Sequence, residues 1–171
     1  NFSSEGGFVV SEKHAEYVRK RSKANVSCSV IPAGTIENRF LGSKTNPKQL
    51  LKLVYSGTID KRRGVSEIFT FSKRLKEAEI SHEINWCGSG DYANKVSDFC
   101  ENMDEMIFHG VIPQQEVFKI MADCHVGIMP MPDEEIWRIS SPLKLAEYLA
   151  SGLSIVGPYH SGNRINGDEG W

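Results

Sequence analysis

Short apolar runs that favour β-strands alternate with amphipathic helical patterns from about residue 50 onward. The strand-like runs are LLKLVYSG (50–57), EINWCG (83–88), MIFHG (106–110), HVGIMP (125–130) and LSIVG (153–157). Between them, apolar residues recur at the three- and four-residue spacing of helices. This order predicts an α/β fold, a Rossmann-like parallel sheet flanked by helices on both faces. Ligands of such sheets bind at the carboxyl ends of the strands, so candidate site residues belong in the strand-to-helix junctions.

Residues 7–33 predict a separate small strand–helix–strand unit. GFVV (7–10) and VSCSVIP (26–32) have the composition of strands, and residues 11–24 have that of a helix capped by Ser11. The stretch 33–48 that follows, AGTIENRFLGSKTNPK, predicts an interdomain linker. The basic side chains of the helix are expected to face solvent, with contact to an anionic membrane as the less favoured alternative.

Composition excludes several classes of protein. The net charge of −2 divides unevenly: the first 85 residues carry six more basic than acidic side chains, and the remainder eight more acidic than basic. A nucleic-acid partner is not expected, because such proteins are basic over a whole face. No apolar run approaches the roughly 20 residues that cross a bilayer. The four cysteines lack C-x-x-C spacing and the five histidines are dispersed, so we expect buried thiols in a reducing cytoplasm and no metal site.

The first junction, SGTIDKRRG (56–64), places three cations between a strand and the helix after it. Gly57 and Gly64 permit tight turns, and Lys61, Arg62 and Arg63 are expected beside the helix N-terminus. Free N–H groups and guanidinium forks suit a phosphate or pyrophosphate. The spacing is not that of a P-loop, and a solvated basic turn remains the alternative.

The second junction, CGSGDYA (87–93), fits G-x-G-x-x-A after a strand and before a helix. A dinucleotide site also requires an acidic residue at the end of the next strand. The nearest acids, Asp104 and Glu105, precede that strand instead. We therefore expect these glycines to let the backbone approach a ligand or a neighbouring element, and a dinucleotide-dependent oxidoreductase stays a minor alternative.

The third junction, PMPDEEIWRISSPLKLAEYLASG (130–152), predicts a helix that begins at Ser140-Ser141-Pro142 and ends at Gly152. Ser140, Lys144, Glu147 and Ser151 then share one face of that helix. This narrow polar stripe suggests that one edge of the helix opens into a cleft. Ser140, Ser141 and Lys144 are candidates for phosphate, and Glu147 for the vicinal diol of a ribose. The alternative is a solvent-exposed edge with a weak Lys144–Glu147 pair.

These junctions together resemble glycosyltransferase family 4, the large group of retaining GT-B enzymes. SSPLKLAEYLASGLSIVGPYHSGN resembles the family's "SP-K-L-E-YMA-G-P-VV…G-G-N", FHGVIPQQEVFKIMADCHVGIMP its "F-G-V…E-V…L…AD-V-L-P", and LVYSGTIDKRRG its "VG-R/L…KG". The exit IPAGTIENRF resembles "IPNG-V-D…F", and INWCGSG resembles "IVG-G". The resemblance implies a truncated GT-B protein. Residues 1–43 would be the tail of the acceptor domain and the linker, and residues 44–171 the donor-binding domain without its final helices.

The resemblance also implies roles for individual residues. Arg63 matches the cation that binds the donor pyrophosphate, and Glu147 the second glutamate of E-x7-E, which holds the ribose hydroxyls. The segment at Gly110 and Val111 would line the base, and Ser140-Ser141 would face the phosphates and sugar. The full set expected at the donor is Gly57, Thr58, Arg62, Arg63, Gly88, Gly110, Val111, Arg138, Ser140, Ser141, Lys144 and Glu147, with no catalytic residue assigned.

Two positions depart from the family's pattern. Ile139 stands where the first glutamate of E-x7-E is expected, and Glu134, Glu135 or the Trp137-Arg138 pair are the candidate substitutes. Thr58 stands where an arginine usually follows the first strand's glycine, which leaves Arg63 with Arg62 or Lys61 to neutralise the phosphates. Both departures fall near the donor sugar and pyrophosphate, so a relative that binds donor without transferring sugar remains an alternative.

The resemblance implies transfer of a sugar from a UDP- or GDP-sugar to a glycan or lipid-linked acceptor, with retention and without metal or cofactor. The nucleotide sugar is then a substrate. A cytoplasmic protein is expected, with peripheral contact at the inner membrane face through the full-length protein. We expect this chain alone to bind donor weakly and to transfer nothing, since the acceptor domain and its closure are needed.

Overall fold

The computed structural model describes residues 6–22, 26–35 and 44–163, which form a small parallel pair of strands and a larger parallel sheet. The pair consists of β1 (Gly6–Val9) and β2 (Ser27–Val30), joined by α1 (Glu12–Arg21). Ser11 caps α1 as predicted, because its hydroxyl accepts the backbone N–H of His14 at 3.0 Å. The predicted strand–helix–strand unit is confirmed.

The larger sheet contains all five strands that the apolar runs predict. They are β3 (Leu51–Ser56), β4 (His82–Cys87), β5 (Met106–Gly110), β6 (Val126–Ile128) and β7 (Ser154–Val156). Their order is β5-β4-β3-β6-β7 and every pair is parallel. The chain thus adds β4 and β5 on one side of β3, and then crosses back to add β6 and β7 on the other side. This reversal makes a topological switch point between β3 and β6, where ligands of open α/β sheets bind.

Helices cover both faces of this sheet. The helices are α2 (Glu67–Glu77), α3 (Ala93–Cys100), α4 (Gln114–Asp123), the single turn α5 (Glu135–Arg138) and α6 (Leu143–Ala150). Side chains alternate along β3, so Leu53 and Tyr55 pack with α2 and α3 while Val54 packs with α4 and α6. An apolar core thus lies on each face of the sheet, between the strands and the helices. This confirms the predicted parallel sheet flanked by helices.

The predicted linker divides into described and undescribed parts. Residues 36–43 lie outside the described residues, whereas residues 44–50 contact the larger sheet. Lys44 donates to the carbonyl of Gly152 at 2.6 Å, and the carbonyl of Thr45 lies 2.7 Å from Nε2 of His125. The boundary at residues 43 and 44 stays a prediction.

Two remaining expectations concern thiols and membranes. All four cysteines are free; Cys87 and Cys124 are buried, and Cys28 and Cys100 are partly buried. Burial raises the pKa of the Cys124 thiol to about 12, so this sulfur is an inert core atom. Among the described residues, no helix is long and apolar enough to span a bilayer.

Candidate functional site

Three glycines form a continuous rim at the carboxyl ends of β3, β4 and β5. Gly57, Gly88 and Gly110 all have positive φ, at 129°, 137° and 65°. The N–H of Gly57 donates to Cys87 at 2.9 Å, and the N–H of Gly88 donates to Gly110 at 2.7 Å. A Cβ at Gly88 would lie 1.9 Å from the carbonyl oxygen of Gly57. The three turns are therefore fixed relative to one another, with minimal side-chain bulk above the sheet.

Lys144 is the buried charged group at this rim. Its side chain projects from α6 towards β3 and is only 8% exposed. The ammonium donates to the Tyr55 hydroxyl at 3.2 Å and lies 4.3 Å from the centroid of the Tyr55 ring. A Cβ at Gly57 would approach Cε and Nζ of Lys144 to 3.3 Å, so the glycine leaves room for the amine.

The lysine has no carboxylate partner. Among the described residues, no carboxylate oxygen lies within 4 Å of its ammonium. Burial first, and then the positive charge of Arg63, lower the pKa of Lys144 from its ordinary 10.5 to about 7, with Glu147 acting in the opposite direction. A buried cation that is repelled by a second cation is stabilised when an anion binds between or beside them. This geometry indicates an anion site.

Arg63 reaches the site from the turn after β3. Residues Lys61–Arg63 form a 3-10 turn that ends at Gly64, whose φ of 73° brings its backbone against Pro130. The guanidinium lies 5.1 Å from the Trp137 ring, and its Nε lies 3.8 Å from a carboxylate oxygen of Asp60. Trp137 and Asp60 thus orient the arginine, the former by cation–π attraction.

The expectation that these cations lie beside the N-terminus of the next helix stays a prediction. The 3-10 turn that carries them is separated by three residues from α2, which begins at Glu67. Arg62 and Thr58 are both exposed, and the carbonyl of Thr58 accepts the Tyr55 hydroxyl.

Tyr148 fills the gap where β3 and β6 separate. Its hydroxyl accepts the N–H of Ser56 at 2.9 Å and lies 3.4 Å from the carbonyl of Ile128, so it bridges the two diverging strands. The ring occupies the space above Gly127, where a Cβ would come within 2.3 Å of a ring carbon. This fully buried tyrosine fixes α6, and hence Lys144, over the switch point.

Glu147 lies one turn further along α6, partly buried. Its carboxylate accepts a hydrogen bond from Nε2 of Gln114, the first residue of α4, at 3.4 Å. The β5-to-α4 connection that places Gln114 there also contains Val111, which is 76% exposed. An acceptor carboxylate beside an exposed apolar side chain is suited to a ribose and its attached base.

The predicted serine cap of α6 is wrong. The helix begins at Leu143 with Pro142 at the cap position and no side-chain cap. Both hydroxyls are engaged elsewhere: Ser140 donates to the carbonyl of Trp137 at 2.7 Å, and Ser141 accepts the N–H of Ala33 at 2.9 Å. A local bond from Ser140 and a bond to Ser141 from a distant segment have therefore taken the groups that a cap would use.

Arg138 forms an ion pair at the protein surface. It is exposed and forms a paired interaction with both carboxylate oxygens of Asp133, at 2.6 and 2.9 Å. Of the four candidate substitutes for the missing glutamate, Trp137 alone has a recorded contact with Arg63. Glu134 and Glu135 are exposed on α5 and its cap.

The G-x-G-x-x-A turn is filled by the protein itself. A Cβ at Gly90 would lie 2.5 Å from the carbonyl oxygen of Ile59 and 2.6 Å from Oδ1 of Asp60. In a dinucleotide site the corresponding glycine allows the backbone to approach a pyrophosphate. Here the glycines allow the loop after β4 to pack on the loop after β3, which favours the expected close packing of two loops over an oxidoreductase.

Sequence reasoning missed the two tyrosines that organise the site. Tyr55 and Tyr148 read as core residues in their strand and helix, and both are fully buried. The one local signal for Tyr148 was Gly127 within an otherwise apolar strand, because a glycine there marks a close approach.

The fold and site define a class of protein: an α/β domain with a buried lysine at the switch point of a parallel sheet. The profile described as "Glycosyl transferases group 1" matches residues 51–171, well over half of the chain. The chain belongs to this family. No curated protein matches it.

Solved structures share this fold at low sequence identity. The pneumococcal O-GlcNAc transferase GtfA, in complex with UDP and GlcNAc, superposes with a TM-score of 0.67 and 18% identity over 91% of this chain and 31% of its own. A mutant of S. aureus TarM bound to UDP superposes with a TM-score of 0.68 and 11% identity, over 90% of this chain and 29% of TarM. WaaG, a glycosyltransferase involved in lipopolysaccharide biosynthesis, superposes with a TM-score of 0.67 and 13% identity, over 91% of this chain and 45% of WaaG. The chain thus spans less than half the length of these GT-B proteins.

Proposed function

We propose that this chain binds the diphosphate of a nucleotide sugar and that its protein transfers the sugar to a glycan or lipid-linked acceptor. The observation that carries the proposal is Lys144, a buried lysine without a carboxylate partner, held near Arg63 at the switch point of the sheet. A diphosphate supplies the missing negative charge, and the glycine rim leaves its oxygens access to backbone.

The chemistry of this arrangement is electrostatic. When the bond between the sugar and the diphosphate breaks, negative charge grows on the leaving phosphate oxygens. Lys144 and Arg63 are already in position to stabilise that charge, which lowers the barrier without reorganisation of solvent. In the described residues no group of three metal-ligating side chains occurs. In our proposal, the side chains of Lys144 and Arg63 neutralise the phosphates. The sugar is transferred with retention of its anomeric configuration.

The nucleoside is proposed to bind between α4 and α6. Glu147 accepts the ribose hydroxyls, and Gln114 orients its carboxylate from across the cleft. The exposed Val111 and the open turn at Gly110 provide an apolar surface for the base. GtfA and TarM bind UDP in their structures, which supports the UDP-sugar among the two expected donors.

A binding protein without transferase activity is the second candidate, and Ile139 favours it. This residue takes the place of a glutamate expected near the donor sugar, and its carbonyl accepts the Ser11 hydroxyl at 2.7 Å. The neighbouring Arg138 is paired with Asp133 and so is not available as a free charge. A site of this kind keeps the contacts to the phosphates and the ribose, and lacks the contact that a glutamate at this position would make to the donor sugar.

Calorimetric titration of UDP-, GDP- and ADP-sugars against NADH tests the proposal on this chain. We expect one or two of the nucleotide sugars to bind with high-micromolar to millimolar affinity and NADH to bind far more weakly. Preferential binding of NADH would refute it. Transfer to a panel of glycan and lipid-linked acceptors, assayed with the protein that carries the acceptor domain, then separates the transferase from the binding protein.

A further inference from the structure

A second cleft lies between α1 and the segment that carries α5. We call it the α1–α5 cleft; its volume is about 330 Å³, and its walls include Tyr17, Lys20 and Arg21 on α1 and Glu135 and Arg138 on α5. Trp137 of the same short helix lies under Arg63. Ile139, which also lines the cleft, stands at the position expected near the donor sugar.

Two hydrogen bonds hold the walls of this cleft together. The Ser11 hydroxyl donates to the carbonyl of Ile139 at 2.7 Å, and the N–H of Ala33 donates to the Ser141 hydroxyl at 2.9 Å. One bond comes from the cap of α1 and the other from the chain after β2. Since both end on the loop between α5 and α6, the cleft is a formed feature of the contact between the two units.

The charges in the cleft are unbalanced, because it is lined by four cations (Lys13, Lys20, Arg21 and Arg138) and two carboxylates (Glu16 and Glu135). Lys13 is neutralised by Glu16 at 3.0 Å and Arg138 by Asp133 at 2.6 Å. In residues 6–22, 26–35 and 44–163, no carboxylate lies within 4 Å of Lys20 or Arg21. Arg21 instead lies over the ring of Tyr17, 4.4 Å from its centroid. The pKa of Glu16 is lowered mainly by Lys13 and further by Lys20 and Arg19, which is the effect of a positive potential.

An aromatic face beside unpaired cations suits a particular ligand. The tyrosine ring offers an apolar surface to the C–H face of a sugar, and the guanidinium and ammonium offer donors to a phosphate or carboxylate. A neutral sugar would gain no charge-assisted hydrogen bond from Lys20 or Arg21, both of which are exposed. A flat anionic membrane would not fill a concave cleft that α5 closes on one side.

From this geometry we propose that the α1–α5 cleft binds the anionic group of an acidic acceptor glycan, next to the donor sugar. This inference rests on the proposed transferase function and names the class of its acceptor. Lys20 and Arg21 bind the phosphate or carboxylate, and Tyr17 packs against the sugar ring that carries it. The occupant is a charged carbohydrate and not the donor, whose diphosphate is assigned to Lys144 and Arg63.

The test is an NMR titration of the isotope-labelled chain with glucose 6-phosphate, glucuronate and glucose, read at the backbone amides of residues 13–21 and 135–139. We expect saturable shifts with one or both acidic sugars, weaker binding at higher salt and no saturation with glucose. The phosphate and carboxylate arms identify which anion is preferred. The same shifts should persist in Lys144→Met, because Lys144 is assigned to the donor phosphate and does not line this cleft.

A matched pair of variants controls the experiment. Arg21→Glu should weaken binding of the acidic sugar by about tenfold or more, because it replaces a charge-assisted contact with repulsion. Lys95→Glu, which also removes a cation from over a tyrosine ring, 5.3 Å from Tyr92, should change the affinity less than about twofold. Shifts induced by UDP in both variants show that the fold is retained.

Several results would overturn the inference. Equal responses to glucose and glucose 6-phosphate, no effect of Arg21→Glu, or shifts confined to the glycine rim would each exclude an acidic sugar from this cleft. Binding to anionic vesicles without any response to acidic sugars would assign the cations to a membrane instead. If UDP binds and the acidic sugars do not, this inference alone fails; if UDP also fails to bind, the proposed function fails with it.

Discussion

Nucleotide binding should depend on pH through Lys144. In the unliganded chain the pKa of this amine is about 7, whereas a bound diphosphate stabilises the charged form. With that pKa, about 90% of the amine is charged at pH 6 and about 1% at pH 9. Above pH 7, binding must therefore draw a proton from solution, and affinity falls as pH rises.

The size of the effect follows from the contact that is lost. A hydrogen bond to a charged group contributes about 1.5–3 kcal/mol, which corresponds to about a 10- to 100-fold change in dissociation constant. We expect UDP binding to weaken by that factor between pH 6.5 and pH 9. Lys144→Met should bind weakly at both values and lose the pH dependence, whereas Lys119→Met, an exposed lysine paired with Glu116, should behave as wild type.

Calorimetry in two buffers of different ionisation enthalpy measures the proton uptake directly. The wild-type chain should take up a fraction of a proton per UDP bound at pH 8, and Lys144→Met less. Stability provides an independent check with the opposite trend: between pH 7 and 8 the unfolded chain binds more protons at Lys144 than the folded chain does, so wild-type stability should rise by more than that of Lys144→Met across this interval. A flat affinity profile, or the same profile in Lys144→Met, would refute the reasoning.

Three further substitutions test separate parts of the site. Glu147→Ala should weaken nucleotide binding about 10- to 100-fold by calorimetry, and an unchanged constant in a folded variant would remove the residue from the site. Arg63→Ala should weaken UDP far more than uridine, with a difference that shrinks as salt is added; equal losses would show that it does not bind phosphate. Gly127→Ala should lower the free energy of unfolding in urea by about 1–3 kcal/mol, because its Cβ would overlap the Tyr148 ring; a stable variant would contradict the packing.

The fold was predictable because its signals are local. Each strand of the larger sheet is an apolar run bounded by glycine or by polar residues, and Ser11 provides its own cap within three residues. The turn at Gly57 was also predictable, because a glycine between an apolar strand and a cationic segment indicates a tight turn. These features depend on neighbours in sequence, which the chain itself displays.

The internal arrangement of the site was not predictable, because it depends on contacts between distant segments. Ser141 reads as a helix cap, yet its hydroxyl binds Ala33, more than one hundred residues earlier. Lys144 reads equally well as a solvent-exposed charge, and its burial follows only when Tyr55 and Gly57 are placed beneath it. The lowered pKa arises from that burial and from Arg63, which no local pattern could reveal.

The most direct test of the account is to locate the bound nucleotide by NMR. Titration of the labelled chain with UDP and GDP should shift the amides of Gly57, Gly88, Gly110 and the start of α6, with paramagnetic relaxation from a spin-labelled analogue strongest at the same residues. The main competing location is the apolar groove of about 360 Å³ between α2 and the ends of β6 and β7, which includes Phe71 and Pro158. Shifts at the glycine rim that vanish in Lys144→Met are the predicted result, and shifts centred on that groove would contradict the central claim.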